Sequence, residues 1–434
     1  QQDGKGLESG ATVAVIGGGP AGAFSAIHLL RQARTLQRDI QVVIFERRRQ
    51  PGPGTAGCPA TNWKGCNYCA GGLSPKLLDL LAELNLRVPE EVVQGRIRFI
   101  TIEGYWKNIE FEVPEGREIL TVYRGSRPAT RRDRHQSFDS FLLDQALAAG
   151  ARLISAEVDD VRYADDGRPR IHYRTATTRE TLDADFAVFA AGVNEVACAS
   201  ARASPVLESL RRLIPGFVPP RLRQALIFEL EVDPHLSASL EGQLHFVEYG
   251  SKALRLEMCS LVPKRGYVTA VLMGESVDSL TGHAQNAAIL RQFLELPHIR
   301  KLMPPTGRLR VSCSCNPNLV VSNARNPISD RIAVVGDMAT SRLYKDGILS
   351  AHQTARALAE TLLNRGSGRE DLKRGYLPTL RRFQRDNRFA AVVFLLHRIV
   401  FGSSVLSRVF YQAVITERKD ALRQDRRLKR ILWQ

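Results

Sequence analysis

An α/β fold, in which a parallel sheet is joined by an inserted second sheet and a helical tail, follows from three features of the sequence. A glycine-rich turn stands between an apolar strand and an apolar-faced helix near the start of the chain. Four segments between 225 and 274 alternate with a period of two. The stretch from 365 to 434 has a helical pattern and holds 17 Arg or Lys against 6 Asp or Glu, so most of the formal charge of +16 belongs to it.

The chain has 434 residues, 44% of them hydrophobic, enough for two or three domains. No apolar run reaches the roughly 18 residues of a spanning helix, and no secretory signal is visible. The polar start, Gln1 to Gly10, reads as an arm and is set aside. Seven cysteines, an odd number in a long chain without a signal, do not read as a disulfide framework. A reducing, cytoplasmic location is expected, peripheral on a membrane if the tail binds one.

Residues 11–17 form a buried strand, and the turn after them runs into a helix with Ala23, Ala26, Ile27 and Leu30 on one face. Residues 41–46 are a second strand. The Gly, Pro and Cys-rich stretch 50–75 reads as a long loop. A helix follows at 77–84, strands over 97–123, a helix from 138 that ends at Gly150, and a β-meander over 155–190 that closes in the apolar strand ending at Gly192. The alternating segments are 226–232, 243–250, 255–263 and 267–274. Residues 332–337 are again a buried strand, and 347–363 a long helix.

Gly17-Gly18-Gly19-Pro20-Ala21-Gly22 fits G-x-G-x-x-G in the strand–turn–helix context that the motif requires. Gly17 permits the tight turn, Gly19 the approach of a pyrophosphate to the helix N-terminus, and Gly22 close helix–strand contact. Pro20 and Ala21 open the helix. Glu46 ends the second strand, where an acidic side chain accepts hydrogen bonds from a ribose, with Arg47 beside it. A glycine-rich turn without a ligand is the competing reading. At the far end, Gly336-Asp337 closes a strand, and Asp346-Gly347-Ile348 opens a helix, with Asp346 as an acidic cap.

This last pair of motifs resembles the G-D…G-[IL] pattern of glutathione-reductase-type flavoproteins. The resemblance implies FAD, with Asp337 on the ribityl and pyrophosphate side. Gly347 and Ile348 would present amides to the flavin, where a helix N-terminus stabilises negative charge on its reduced form. Gly192 matches the strand end that such proteins place near the cofactor. Every one of these signatures lies before residue 350.

Cys66-Asn67-Tyr68-Cys69-Ala70-Gly71-Gly72-Leu73 resembles the C-x-x-C-[AG]-G-[AG]-[LI] loop of geranylgeranyl reductases, flavoenzymes that saturate isoprenoid double bonds. The resemblance places Ala70, Gly71 and Gly72 against the flavin ring and Cys69 nearest to it. A zinc site with Cys58, a Cys66–Cys69 redox disulfide and plain buried thiols are open alternatives, and no metal is assigned. The chain departs from that family at 260–266, where Ser260-Leu261-Val262-Pro263 stands without the usual tryptophan. It departs also at Arg134-His135 and at Tyr344-Lys345, which replace an Arg and a Pro.

The expected organisation is 11–75, 126–195 and 306–365 for the FAD-binding part, 76–125 and 196–305 for a substrate domain, and 366–434 for the basic tail. The expected function is an FAD-dependent oxidoreductase that reduces isoprenoid C=C bonds by hydride transfer, with catalytic residues unassigned. A monooxygenase or halogenase of the same fold, or a membrane-surface protein with FAD in a redox-neutral role, are the alternatives. No second G-x-G-x-x-G stands in a strand–turn–helix context, so electrons come from NAD(P)H visiting the flavin or from a ferredoxin or other redox partner protein. The substrate is a hydrophobic, lipid-like molecule. In the tail, Phe389, Val392, Val393, Leu396, Ile399 and Val400 form one helical face preceded by Arg381, Arg382, Arg385 and Arg388. That pattern suits an anionic membrane surface, against a core-packed helix with a solvated tail. No aromatic–basic interleaving points to nucleic acid.

Overall fold

The computed structural model describes residues 6–47, 49–51, 61–63, 70–125, 137–193, 204–247, 254–280, 283–304 and 309–419. Cys58, Cys66, Cys69, Arg134 and His135 lie outside these.

The strands read as continuous apolar runs assemble as such. Thr12–Ile16, Gln41–Phe45, Phe186–Phe189 and Ile332–Val334 are buried along nearly their whole length, as strands covered on both faces must be. With Arg152–Ile154 they form a parallel sheet in the order 152–154, 41–45, 12–16, 186–189, 332–334, and Ile328–Ser329 adds an antiparallel edge. Helices Pro20–Thr35 and Gly347–Asn364 pack together over this sheet. The meander follows as Glu157–Tyr163, Pro169–Arg174 and Arg179–Asp183.

A second, seven-stranded sheet gathers distant segments in the order 310–315, 226–231, 267–273, 258–264, 243–247, 99–103, 108–112. All four alternating segments therefore contribute strands to it. Arg310–Cys315, grouped with the nucleotide part in the sequence, pairs here with Leu226–Glu231. One face of this sheet packs on a core of its own, and the other lines a cavity shared with the parallel sheet. A small sheet of Gly72–Leu73, Ile119–Val122 and Val93–Ile97 connects the two, and the Thr121 hydroxyl donates to the Pro263 carbonyl at 3.1 Å.

The tail is not an appendage. Leu372, Tyr376 and Leu380 belong to the main core, and the fully buried Tyr376 hydroxyl donates to the Val334 carbonyl of the parallel sheet at 2.6 Å. Helix Leu377–Phe401 then runs to Gly402, the chain turns by 108°, and helix Ser404–Lys419 returns with Tyr411 and Phe401 packed on Ile109 of the second sheet. No single described helix is long and apolar enough to cross a membrane.

Between the two sheet-covering helices sits a buried pair, His28 Nε2 and His352 Nε2, 3.2 Å apart, with the Phe24 ring edge-on to His352. Burial, and the facing partner for His28, push the pKa of His28 down to about 3 and that of His352 down to about 4. Both folded-state values lie below the ordinary 6.5. The stability that the neutral pair contributes is therefore complete above the unfolded value and is lost as pH falls toward the folded ones. Each histidine adds a slope of about 1.4 kcal/mol per pH unit in that window. His352→Gln should flatten the fall of unfolding free energy between about pH 6 and pH 4.5 by about that amount, read by urea denaturation. An unchanged slope would show that the pair does not stay neutral in the fold.

Candidate functional site

The carboxyl ends of the parallel strands open into a cavity of about 780 Å³ whose opposite wall is one face of the seven-stranded sheet. Ligands of doubly wound sheets bind at such strand ends, and the volume falls in the range of small-molecule sites, about 300–1,000 Å³.

The glycines explain how the backbone closes on this cavity. Gly17 has φ +107, and a Cβ there would lie 2.5 Å from the Ala190 carbonyl oxygen. A Cβ on Gly22 would meet the Gly17 oxygen at 1.9 Å. Gly19 differs: nothing stands within 4 Å of its Cβ position, and it lines the cavity. That is the cradle a side chain would fill and a pyrophosphate can occupy. Helix Pro20–Thr35 begins behind it with Pro at the first turn and no side chain capping its amides. Glu46, buried, accepts the Gly18 amide at 2.8 Å and stands on the same wall.

Across the cavity Gly336 has φ +61, and a Cβ on it would touch the Ala21 methyl at 2.6 Å, so the two turns meet only because it is glycine. Asp337 follows, half-buried, and desolvation pushes its carboxyl above the ordinary range while Arg124 and the Ser341 hydroxyl pull it back. Helix Gly347–Asn364 starts 3.5 Å from the Asp337 carboxylate, measured from the Gly347 Cβ position. Its N-terminus was expected to be capped by Asp346. It is not: Asp346 has φ +54, makes no side-chain cap, and pairs with Arg342 Nη1 at 3.1 Å. In the left-handed region its side chain is turned away from the amides that a cap must reach. Two helix N-termini thus open uncapped on one cavity, which favours a ligand that carries negative charge at two separate points.

Of the residues chosen from sequence, Gly17, Gly19, Pro20, Ala21, Glu46, Arg47, Ala70, Gly71, Gly72, Gly192, Asp337, Gly347 and Ile348 line this cavity. Gly22 and Gly336 do not line it and serve the packing just described. Cys69 lies outside the described residues. Gly71, φ +84, is held by the Val122 amide at 2.8 Å and would clash with the Val122 carbonyl if it carried a Cβ.

Other lining residues went unnoticed in the sequence. Arg124 makes a bidentate pair, 3.0 Å on each arm, with Asp139, which is wholly buried at the start of helix Phe138–Ala148. The sequence showed that helix, but not the arginine that meets it from the bend after strand Ile119–Val122. Tyr344 and Lys345, seen only as departures from a pattern, line the cavity, with Tyr344 half-buried and Lys345 exposed. Behind Gly71 lies Lys264, in a strand otherwise apolar. Its ammonium is buried 3.8 Å from Glu229 and 4.2 Å from the centre of the Tyr123 ring, and Tyr123 donates to Glu229 at 2.8 Å.

The far half of the cavity is apolar. Ile227, Phe246, Met258, Val262, Val271 and Met273 form its floor. Phe394, His397 and Phe401 of helix Leu377–Phe401 form its roof. Helix Leu377–Phe401, which packs on the main core at one end and on the second sheet at the other, covers the space between them. Tyr344 meets Phe394 edge-on at 4.8 Å, and burial keeps His397 neutral, with its pKa pushed down to about 4.

A family profile described as FAD-NAD(P)-binding matches residues 14–75. Among solved structures, a geranylgeranyl bacteriochlorophyll reductase-like protein of Thermoplasma acidophilum is similar over 90% of this chain and 88% of its own, at 18% identity and a TM-score of 0.63. A p-nitrophenol 4-monooxygenase of Pseudomonas putida is similar over 96% and 95%, at 14% identity and 0.63. A flavin-dependent brominase is similar over 95% and 92%, at 12% identity and 0.60. No curated protein matches in sequence. The chain has the FAD-binding fold that these oxidoreductases and halogenases share, with the parallel nucleotide-binding sheet, the inserted sheet and C-terminal helices.

FAD retention should depend on the open cradle and on the Asp337 carboxylate. Gly19→Val should yield colourless protein. Asp337→Ala should weaken FAD binding by roughly tenfold or more, the weight of a hydrogen bond to a charged group. Asp346→Ala, which frees Arg342 rather than the cofactor, should weaken it less. Flavin absorbance per protein after dialysis reads all three, and equal losses for the two aspartates would place Asp346 in direct contact with FAD.

Proposed function

We propose that this chain is an FAD-dependent reductase of C=C bonds in an isoprenoid or similarly apolar lipid. The observation that carries the reading is the division of one cavity into two halves. Glycine turns, two uncapped helix N-termini and Asp337 make one half; Phe394, Phe401 and the apolar sheet face make the other. The first half suits a dinucleotide, the second a substrate without charge. The loop with its resemblance to geranylgeranyl reductases, Ala70 to Gly72, lies on the wall of the same cavity.

FAD bound there would supply hydride to the alkene. The chain's own residues have the remaining tasks. Gly17, Gly19 and the helix behind them hold the pyrophosphate, and Asp337 the ribityl side. The floor and roof align an apolar chain and exclude water, which keeps the reaction away from solvent. A proton must also be delivered to the second alkene carbon. Lys345 is suited to this, since it stands on the cavity wall and carries ammonium protons. Electrons reach the flavin from NAD(P)H or from a redox protein, for which the chain carries no second nucleotide fingerprint.

The test is a single turnover. The flavoprotein is reduced without oxygen and given geranylgeranyl diphosphate or a geranylgeranylated lipid, and the product is weighed by mass spectrometry. Gain of two hydrogens with reoxidation of the flavin is expected. If the flavin reoxidises only when air is admitted and oxygen enters an added aromatic substrate, the monooxygenase reading, which the similarity to the Pseudomonas enzyme favours, replaces it. Turnover with neither leaves FAD in a redox-neutral role and ends the proposal.

A further inference from the structure

Helix Leu377–Phe401 has two unlike faces. With about 3.6 residues per turn, Leu380, Phe383, Phe394, His397 and Phe401 share one side, which is buried or lines the cavity. The opposite side begins with Arg381, Arg382, Arg385 and Arg388, all exposed and without an ion pair among the described residues. It continues with Phe389, Val392, Val393, Leu396 and Ile399, which are 45–63% exposed. The apolar stripe carries on past the bend through Val405, Leu406 and Val409. Of the fifteen large apolar side chains exposed among the described residues, nine lie between 389 and 409, so this is one patch and not scatter. Trp106, itself 42% exposed, stands beside it with its ring edge-on to Tyr411, and Lys107 lies over that ring.

We infer that this outer face docks on an anionic lipid bilayer, with the apolar stripe at the bend entering the acyl boundary. The arginines and Lys107 would lie at headgroup level, and Trp106 at the rim. Neither described helix is by itself long and apolar enough to span, and the pair is bent by 108°, an arrangement that suits helices lying along the surface. Charge decides between occupants. A second copy would bring the same unpaired arginines, on a chain of net charge +16, toward each other. An anionic bilayer offers opposite charge and apolar depth together, and tryptophan beside the polar boundary is an arrangement lipid favours. Because the inner face of the same helix roofs the apolar half of the cavity, docking sets that half one helix diameter from the lipid. Lateral loading of substrate from the leaflet follows from this, and that clause alone rests on the reading of an apolar substrate.

The test uses the full chain with its flavin and vesicles of phosphatidylcholine alone or in equal parts with phosphatidylglycerol, read by flotation. Binding to the anionic vesicles is expected to fall but persist as salt is raised, since screening removes only the charge part. Replacing Arg381, Arg382, Arg385 and Arg388 by Gln should weaken it roughly fivefold per arginine at low salt. L396E/I399E should remove the part that survives salt, with flavin content unchanged, as neither residue lines the cavity. Intact protein that ignores anionic vesicles overturns the inference, as does a Glu variant that binds like the parent. A dimer in solution that L396E/I399E converts to monomer would assign the face to a second copy and overturn it likewise. If the protein floats but reduces no alkene, docking stands and the chemical reading falls. If it reduces a soluble prenyl diphosphate but does not float, the reverse holds.

Discussion

Everything at the site depends on three places where the backbone comes closer than a side chain permits. Gly17 lies against Ala190, Gly22 against Gly17, and Gly336 against Ala21. The first two bring the opening turn of helix Pro20–Thr35 down onto the strand ends. The third brings the turn before helix Gly347–Asn364 onto the first turn. None of the three contacts is attractive in itself; each is the absence of a clash, and that absence fixes where two helix N-termini point. The electrostatic character of the cavity follows from the steric one. Asp337 can then stand on the cavity wall with Arg124 and Ser341 near it, in a position that would be costly for a carboxylate in an apolar wall.

This explains what was legible in the sequence. A steric rule leaves a mark on the residue that obeys it, so the turns at Gly17 and Gly336 could be read directly. So could the strands, because burial on both faces demands unbroken apolar runs and burial on one face demands alternation. The seven-stranded sheet was legible as strands but not as an order, since 99–112 and 310–315 join 226–273 across gaps that no local pattern marks. Asp346 misled because its residue type fits a cap while its backbone, in the left-handed region, does not. Arg124 and Lys264 were missed for another reason. Their partners, Asp139 and Glu229, come from other elements, and a charge in the sequence gives no sign of the charge it will meet. The cysteine loop carries the most specific resemblance, yet its thiols lie outside the described residues.

The roof was legible in one half only. Apolar periodicity singled out the outer stripe of helix Leu377–Phe401, where most residues prove to be exposed, and passed over the inner residues Phe394, His397 and Phe401. Periodicity measures how apolar a face is, and the common inference from apolar to buried fails here. The inner face needs fewer apolar residues because the second sheet and Tyr344 supply the rest of its surroundings. Beyond Arg388 the outer face is the more hydrophobic of the two, which is the reverse of a helix that merely covers a core.

That reversal bears on how the two halves of the cavity work together. The polar half is built entirely from elements of the nucleotide sheet, whose positions are fixed by backbone contacts. The apolar half is closed by a helix anchored at one end through Tyr376 to that same sheet and at the other through Phe401 and Tyr411 to the second sheet. One rigid element thus spans both domains and forms the boundary between the cavity and the outer apolar patch. A substrate without charge gains little from the helix dipoles that hold a dinucleotide, so its place must be decided by shape and exclusion of water. The roof supplies both, and it does so with the element whose other face water solvates least well.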